Sequence, residues 1–268
     1  MIYKAKNGTV SLTEGTMDYI RFGSGVKNLV MLPGLGDALR SVKGTALPMA
    51  LMYRMFAKDF TVWMFSRKQP LERGCTTRDL ARDQAEAMAA LGIRKADVLG
   101  VSMGGMIAQW LAADYPEKVG KLVLTVTCAR PNPILLESVE EWVKLAKQND
   151  PAGFMDSNLR RIYSEDYYRK NRWMAPIVGK LTRPKSYDRF FIQAEACKSH
   201  NAFENLVKIQ VPTLVIGGEK DLALGGDASG EIAAAIPGAE LKIYPQWGHG
   251  LYEEEKSFNS LVLEFLKR

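Results

Sequence analysis

The sequence predicts an α/β domain, a mostly parallel β-sheet flanked by helices, with a helical insertion near its middle. Three observations lead there. Short apolar runs rich in β-branched residues recur along the chain with helical stretches between them. The pentapeptide Gly100-Val101-Ser102-Met103-Gly104 falls where one such run turns sharply into a helix. Residues 129–210 carry helical periodicity uninterrupted by any strand pattern.

With 268 residues and 47% hydrophobic content, the chain can build one large core plus an insertion without a separate second domain. Asn7-Gly8-Thr9 matches a glycosylation sequon but reads as a hairpin turn. Residues 16–22 alternate as an antiparallel strand should, with Gly23-Ser24-Gly25 as its turn. Residues 28–32 form a short buried strand ending at Pro33-Gly34-Leu35-Gly36. The next strand is 60–65, followed by a polar loop through Gly74-Cys75. An amphipathic helix spans 77–91, capped by Thr76 or Thr77 and closed by Gly92. The strand 96–101 leads through the pentapeptide into a helix from Gly104 to Tyr115, stopped by Pro116. After a strand at 121–127 comes the insertion, with helices near 137–148, 152–163 and 186–199. Arg130-Pro131-Asn132-Pro133 marks its entrance and Val211-Pro212 its exit. Residues 1–128 and 211–268 are thus read as the core and 129–210 as the insertion. Strands at 213–217 and 241–244, and helices at 228–235 and 253–267, complete the chain.

Composition narrows the function classes. No apolar run reaches membrane-spanning length, and Met1-Ile2-Tyr3-Lys4-Ala5-Lys6 lacks the apolar core of a secretory signal, so no membrane partner is expected. Three widely spaced cysteines, Cys75, Cys128 and Cys197, suggest no disulfide framework and fit a reducing cytoplasm. Cys128 follows an apolar run and reads as a core residue. With only His200 and His249 in the chain, and no Walker loop or dinucleotide fingerprint, neither a metal nor an organic cofactor is expected. The net charge is +6, and residues 160–189 hold nine Lys or Arg against three Asp or Glu. That window is either a solvated face or a positive rim steering anionic substrates. No nucleic-acid-binding motif accompanies it.

The chemistry starts at Ser102. A serine on a sharp strand-to-helix turn is held in a strained conformation with its hydroxyl pushed out of the sheet edge. Gly100 and Gly104 flank it because a Cβ there would collide across the turn. The helix N-terminus beneath it favours negative charge. A hydroxyl becomes nucleophilic only when a base takes its proton. His249, between Gly248 and Gly250 in the loop after strand 241–244, is the candidate base. His200, at the end of an insertion helix in polar surroundings, reads as a surface residue. Asp221 follows strand 213–217 and emerges at the same sheet edge, where open α/β sheets carry their sites. Glu219 is its nearest alternative, and Thr127-Cys128-Ala129 offers no carboxylate after the preceding strand.

The order Ser102, Asp221, His249, with Ser102-Met103-Gly104-Gly105 at the turn, resembles the α/β-hydrolase superfamily, in its branch of small bacterial esterases, enol-lactonases and cofactor-free haloperoxidase-like proteins. The resemblance covers nearly the whole chain. It implies an eight-stranded, mostly parallel sheet with the insertion as a helical lid, and two backbone N–H groups binding an oxyanion. One is that of Met103. The other comes from the Pro33-Gly34-Leu35-Gly36 loop, at Leu35, although many relatives have His-Gly where this chain has Pro33-Gly34. The function implied is a serine hydrolase of a carboxylic ester, thioester or lactone. Hydrolysis of a C–C bond in a diketone and a non-catalytic, receptor-like ligand-binding role are the alternatives. Aromatic residues of the lid from Phe154 to Phe191 must in part line the cavity, with Tyr163, Trp173 and Phe191 as the expected substrate contacts. The expected partner is a small molecule, and the assembly a monomer or homodimer.

Overall fold

The computed structural model describes residues 2–268. Eight strands form one sheet: β1 (Lys6–Ser11), β2 (Thr16–Gly23), β3 (Lys27–Leu32), β4 (Phe60–Phe65), β5 (Ala96–Val101), β6 (Val119–Thr125), β7 (Thr213–Gly218) and β8 (Glu240–Tyr244). Their order is β1-β2-β4-β3-β5-β6-β7-β8. The pairs β1/β2 and β2/β4 are antiparallel and all others parallel. All six residues of β4, and all six of β7, are buried, as expected of strands covered on both faces. Chain order reverses direction at β3, which lies between β4 and β5. The crevice above the C-terminal ends of β3 and β5 is therefore the switch point at which α/β sheets bind ligands. Register keeps these ends level: Leu32 pairs with Gly100, Val101 with Thr125, and Thr125 with Ile216.

The helices are α1 (Ala46–Met52), α2 (Thr77–Ala90), α3 (Met103–Asp114), α4 (Pro133–Lys147), α5 (Pro151–Ile162), α6 (Glu165–Asn171), α7 (Ala175–Thr182), α8 (Asp188–Lys198), α9 (Ala228–Ala235), α10 (Leu251–Glu254) and α11 (Phe258–Lys267). One face of the sheet packs against α2 and α3 through Leu80, Met88, Ile107 and Leu111. The other packs against α1 and α11 through Ala50, Val262, Phe265 and Leu266. Thr76 caps α2 in a reciprocal box with Asp79. Between β6 and β7 the described chain contains five α-helices and no strand, and Ala202 N–H donates to Ala129 O (2.8 Å), tying the exit of this insertion to its entrance.

Several expectations need correction. Asn7-Gly8-Thr9 lies inside β1, and the hairpin turns at Leu12–Gly15, where Leu12 N–H bonds Gly15 O and Gly15 has φ +94°. The glycine at position 8 serves packing: its cross-strand partner Tyr19 lays its ring where a Cβ would be, 2.3 Å away. Strand 121–127 is shifted to Val119–Thr125, because Val126 adopts φ +43° and ends the ladder. The helix expected at 253–267 is two, α10 and α11. The Glu255 carboxylate accepts from Ser257 N–H (2.9 Å), Ser257 Oγ (2.7 Å) and Trp247 Nε1 (2.7 Å), and its backbone is extended. The short helices α1, α6 and α7 carry no long periodicity and lie outside the helices expected from the sequence.

His200 is the largest departure. It is 1% exposed. Its Nδ1 accepts from Thr77 Oγ1 (2.8 Å), and its Nε2–H donates to Gln109 Oε1 at the longer distance of 3.4 Å. Gln109 Nε2 in turn donates to Cys128 O (3.0 Å). The loop after α8 is thereby pinned to α2 and α3, and the polar neighbours of His200 in sequence say nothing of this. Burial pulls the His200 pKa down from 6.5 to about 3. Between those values only the unfolded chain takes up the proton. The stability contributed is complete above about pH 6.5 and falls by about 1.4 kcal/mol per pH unit as pH drops toward 3. Urea unfolding across this range should therefore show a steeper acid loss for the wild type than for His200→Gln. Parallel curves would refute the assignment.

Candidate active site

Ser102 sits between β5 and α3 with φ 54° and ψ −123°, a conformation that costs a non-glycine residue about 1–3 kcal/mol. The neighbouring packing imposes it. A Cβ on Gly104 would stand 1.9 Å from Leu32 O, and one on Gly100 2.6 Å from Gly104 O. The α3 N-terminus can thus press against the ends of β3 and β5 only with glycine at both places. Ser102 N–H donates to Thr125 O (2.9 Å). Ser102 O accepts from Gly105 N–H (2.8 Å), Met106 N–H (3.2 Å) and Thr127 Oγ1 (2.8 Å). These bonds hold the turn from β6 and leave the hydroxyl at the sheet edge, in a cavity shared with His249.

His249 and Asp221 are each 5% exposed. The ring Nδ1 lies 2.8 Å from Asp221 Oδ2, and Asp221 Oδ1 accepts from Ala223 N–H and Leu224 N–H, both at 2.8 Å. With Nδ1–H donating to the carboxylate, Nε2 is left as an acceptor. The two loops approach closely because Gly218 and Gly248 lack side chains: a Cβ on Gly218 would stand 2.5 Å from Trp247 O and Gly248 O. Lys220 N–H donates to Trp247 O (3.0 Å) across this junction. Glu219, the alternative acid, is exposed. Ser102 Oγ has no hydrogen bond to the His249 ring among the described residues. Catalytic hydrogen bonds are often long before substrate binds.

Leu35 opens a short 3-10 turn (Leu35–Ala38) directly after β3, and Met103 opens α3. First-turn N–H groups have no partner within their own helix. Leu35 lines the cavity, and Gly34 lies so close to the serine that a Cβ there would stand 3.3 Å from Ser102 Cβ. Beneath this loop is a buried ionic cluster that the sequence reading missed. Asp37, 4% exposed, accepts from Ser66 Oγ (2.5 Å), Arg67 N–H (3.1 Å) and Arg189 Nη2 (2.7 Å). The fully buried Arg67 guanidinium donates to Pro33 O, which fixes the peptide plane preceding Gly34. Burial lowers the pKa of Arg67, against the opposing pull of Asp37. Arg189 comes from α8, so one carboxylate joins the loop after β3, the end of β4 and the insertion. The only hint in the sequence is an acidic residue three positions beyond Gly34.

The cavity encloses about 340 Å³. Its floor is Met31, Met64, Leu99 and Val101, and α1 adds Met49 and Met52. Its roof is Trp142 from α4, Phe154, Asn158 and Ile162 from α5, and Phe190 from α8. Methionines give such a wall adaptable shape. Of the expected substrate contacts, none lines it. Tyr163 stands behind, donating its hydroxyl to Glu253 Oε2 (2.7 Å) and stacking on Tyr167. Phe191 packs against Tyr187 and Phe190. Trp173 is 67% exposed. The i, i+4, i+8 spacing of Phe154, Asn158 and Ile162 was available in the sequence, but not the rotation of the helix that aims it inward. Among the described residues, no Lys or Arg lines the cavity. Within the basic window, Arg160 and Arg161 pair with Glu141 and Glu137, and Arg189 with Asp37. None of the nine basic residues of the window is among the residues lining the cavity.

A family model described as alpha/beta hydrolase fold matches residues 27–256. A 2-hydroxy-6-oxononadienedioate/2-hydroxy-6-oxononatrienedioate hydrolase of Klebsiella pneumoniae is 30% identical over 261 residues, covering 92% of this chain and 89% of that protein. Among solved structures, an alpha/beta hydrolase enzyme from a Medee basin deep-sea metagenome library matches with a TM-score of 0.86 and 22% identity, over 97% of this chain and 98% of that one. The enol-lactonase from Burkholderia xenovorans LB400 matches with a TM-score of 0.81 and 22% identity, over 97% and 100%. At that identity the likeness to both structures is one of fold.

Removing the carboxylate of the buried cluster leaves Arg189 unpaired and takes a compensating charge from the buried Arg67 guanidinium. Asp37→Ala should cost about 3–5 kcal/mol. Arg189→Met should cost less, about 1–3 kcal/mol, because Asp37 keeps its bonds to Ser66 and Arg67. Urea unfolding of the two variants measures both, and the reverse ranking would contradict a cluster organised around Asp37.

Proposed function

The chain belongs to the α/β-hydrolase fold family, and on that footing we propose that it is a serine hydrolase acting on a carboxylic ester, thioester or lactone, with Ser102, His249 and Asp221 as its catalytic triad. One observation carries this reading: a strained serine and a buried, carboxylate-backed histidine open onto the same cavity. Ser102 Oγ attacks the carbonyl carbon while its proton passes to His249 Nε2. The oxygen becomes an oxyanion received by the N–H groups of Leu35 and Met103, each donor lowering the barrier by about 3 kcal/mol. His249 then protonates the leaving alkoxide or thiolate, and the acyl group stays on Ser102. Water attacks this acyl-enzyme, gives its proton to His249, and the acid departs as Ser102 recovers its hydrogen. Asp221 holds the ring in the required tautomer throughout.

Residues 129–210 act as the lid, whose roof side chains exclude water from the acyl pocket. The apolar, methionine-lined wall without Lys or Arg favours a small neutral acyl group over an anionic one, the alternative that the basic window left open. Three free cysteines accord with a reducing cytoplasm. A second reading, hydrolysis of a C–C bond, has the relative of 30% identity behind it. The dioate in that relative's name carries two carboxylates, whereas none of the residues lining this cavity is a Lys or Arg that could receive one.

Ser102→Ala should lower turnover of a short-chain neutral ester by about 10⁴-fold or more while leaving the fold intact, and retention of most of the rate would rule out an acyl-enzyme on Ser102. Asp221→Asn should lower kcat by about 10³–10⁴ with little change in KM, while Glu219→Gln stays near wild type. A dead Glu219→Gln beside an active Asp221→Asn would transfer the role to Glu219. A panel of neutral esters, thioesters and lactones set against a 2-hydroxy-6-oxo-dienoate discriminates the two readings: turnover of the dienoate alone would replace the first by the second.

A further inference from the structure

The insertion carries large apolar side chains on its outer surface. Trp173 is 67% exposed, Ile177 54% and Leu181 80%. They recur every four residues through α7 and the short 3-10 turn before it, so they share one face. The opposite face is the packed one. Ala175 and Gly179 are buried, and a Cβ on Gly179 would stand 2.1 Å from Pro151 O of α5. The helix thus turns its smallest residues to the protein and its largest apolar ones to solvent. Single exposed apolar residues are ordinary, but a contiguous row marks an interaction surface.

The charge of the segment that carries the row is of one sign. Between residues 169 and 185 lie Arg169, Lys170, Arg172, Lys180, Arg183 and Lys185, and no Asp or Glu. All six are exposed. The ion pairs among the described residues occupy Arg160, Arg161 and Arg189 but none of these six. Neither a solvated face nor a steering rim accounts for the apolar row between them.

We propose that this face docks the protein onto an anionic lipid bilayer surface. Trp173, Ile177 and Leu181 would enter the boundary between headgroups and acyl chains, with the flanking cations against lipid phosphates. At eight residues α7 is far too short to span a membrane, so it lies in the interface plane. A second copy of the chain fits less well: a two-fold contact between residues 169–185 of the two copies would oppose six cations with six cations and no carboxylate of that segment. Docking is independent of the chemistry at Ser102. It sets the lid against the bilayer, since α7 packs on α5, which supplies Phe154, Asn158 and Ile162 to the cavity roof.

Flotation of the whole protein with phosphatidylcholine vesicles, with and without phosphatidylglycerol, tests the proposal. Binding should require phosphatidylglycerol and fall about tenfold or more as salt shortens the screening length. The partition coefficient should drop about 25-fold in Lys180→Gln/Arg183→Gln, at about fivefold per charge, and comparably in Ile177→Gln/Leu181→Gln. Anionic vesicles should shift the tryptophan emission of the wild type to the blue, and not that of Trp173→Phe. Thermal melts matching the wild type exclude misfolding of these surface variants. Absence of flotation at low salt, or flotation unaffected by Ile177→Gln/Leu181→Gln, would overturn it. So would a concentration-dependent dimer dispersed by Leu181→Gln in a protein that does not bind vesicles.

Discussion

The structure depends on the close approach of the α3 N-terminus to the ends of β3 and β5. Glycine at positions 100 and 104 permits it, since a Cβ at 104 would lie 1.9 Å from Leu32 O. That approach forces Ser102 into φ 54°. The strain is offset by four backbone and hydroxyl bonds around the serine and by the buried Met103, Met106 and Ile107 that anchor the helix behind it. Every other part of the site is measured from this point. The loop after β3 lies against Ser102, and the histidine loop faces the same cavity.

Two buried carboxylates then organise the surroundings in different ways. Asp221 receives two backbone N–H groups on one oxygen and the His249 ring on the other, so its charge is compensated locally and directed at one partner. Asp37 instead gathers three groups from two distant segments: Ser66 and Arg67 after β4, and Arg189 from α8. Leaving any of these charges unpaired inside the protein would be costly, which makes the cluster a structural clamp between insertion and core. A second fastening lies on the opposite side of the cavity. There Gly250 N–H bonds Ile162 O, Tyr163 bonds Glu253, and Ser164 bonds Glu254. The insertion is thus tied both to the loop beside the serine and to the loop of the histidine, with the cavity enclosed between the two fastenings.

The outer and inner faces of the insertion follow different rules. Its inner face continues the apolar core through Trp142, Phe154 and Phe190, whereas α7 packs through Ala175 and Gly179 and leaves its larger apolar residues outside. Both faces are aromatic-rich in sequence, which is why Trp173 and Tyr163 could be mistaken for pocket residues and Trp142 overlooked.

What the sequence by itself determined are the features encoded over a few residues. The strand runs, the Thr76 cap of α2, the turn at Ser102, and the emergence of Asp221 and His249 after β7 and β8 all rest on local backbone preference and short-range spacing. These fix which loops reach the same sheet edge. What only the tertiary structure decided is what each side chain faces. His200 sits in a polar stretch yet is buried against Thr77 and Gln109, because the loop after α8 meets α2 and α3, which are distant in sequence. Asp37 meets Arg67 and Arg189 across sequence separations of 30 and 152 residues. Gly8 lies within a strand because Tyr19 covers it. The rotation of a helix about its axis, and the partner of a buried charge, depend on distant segments that no local pattern specifies.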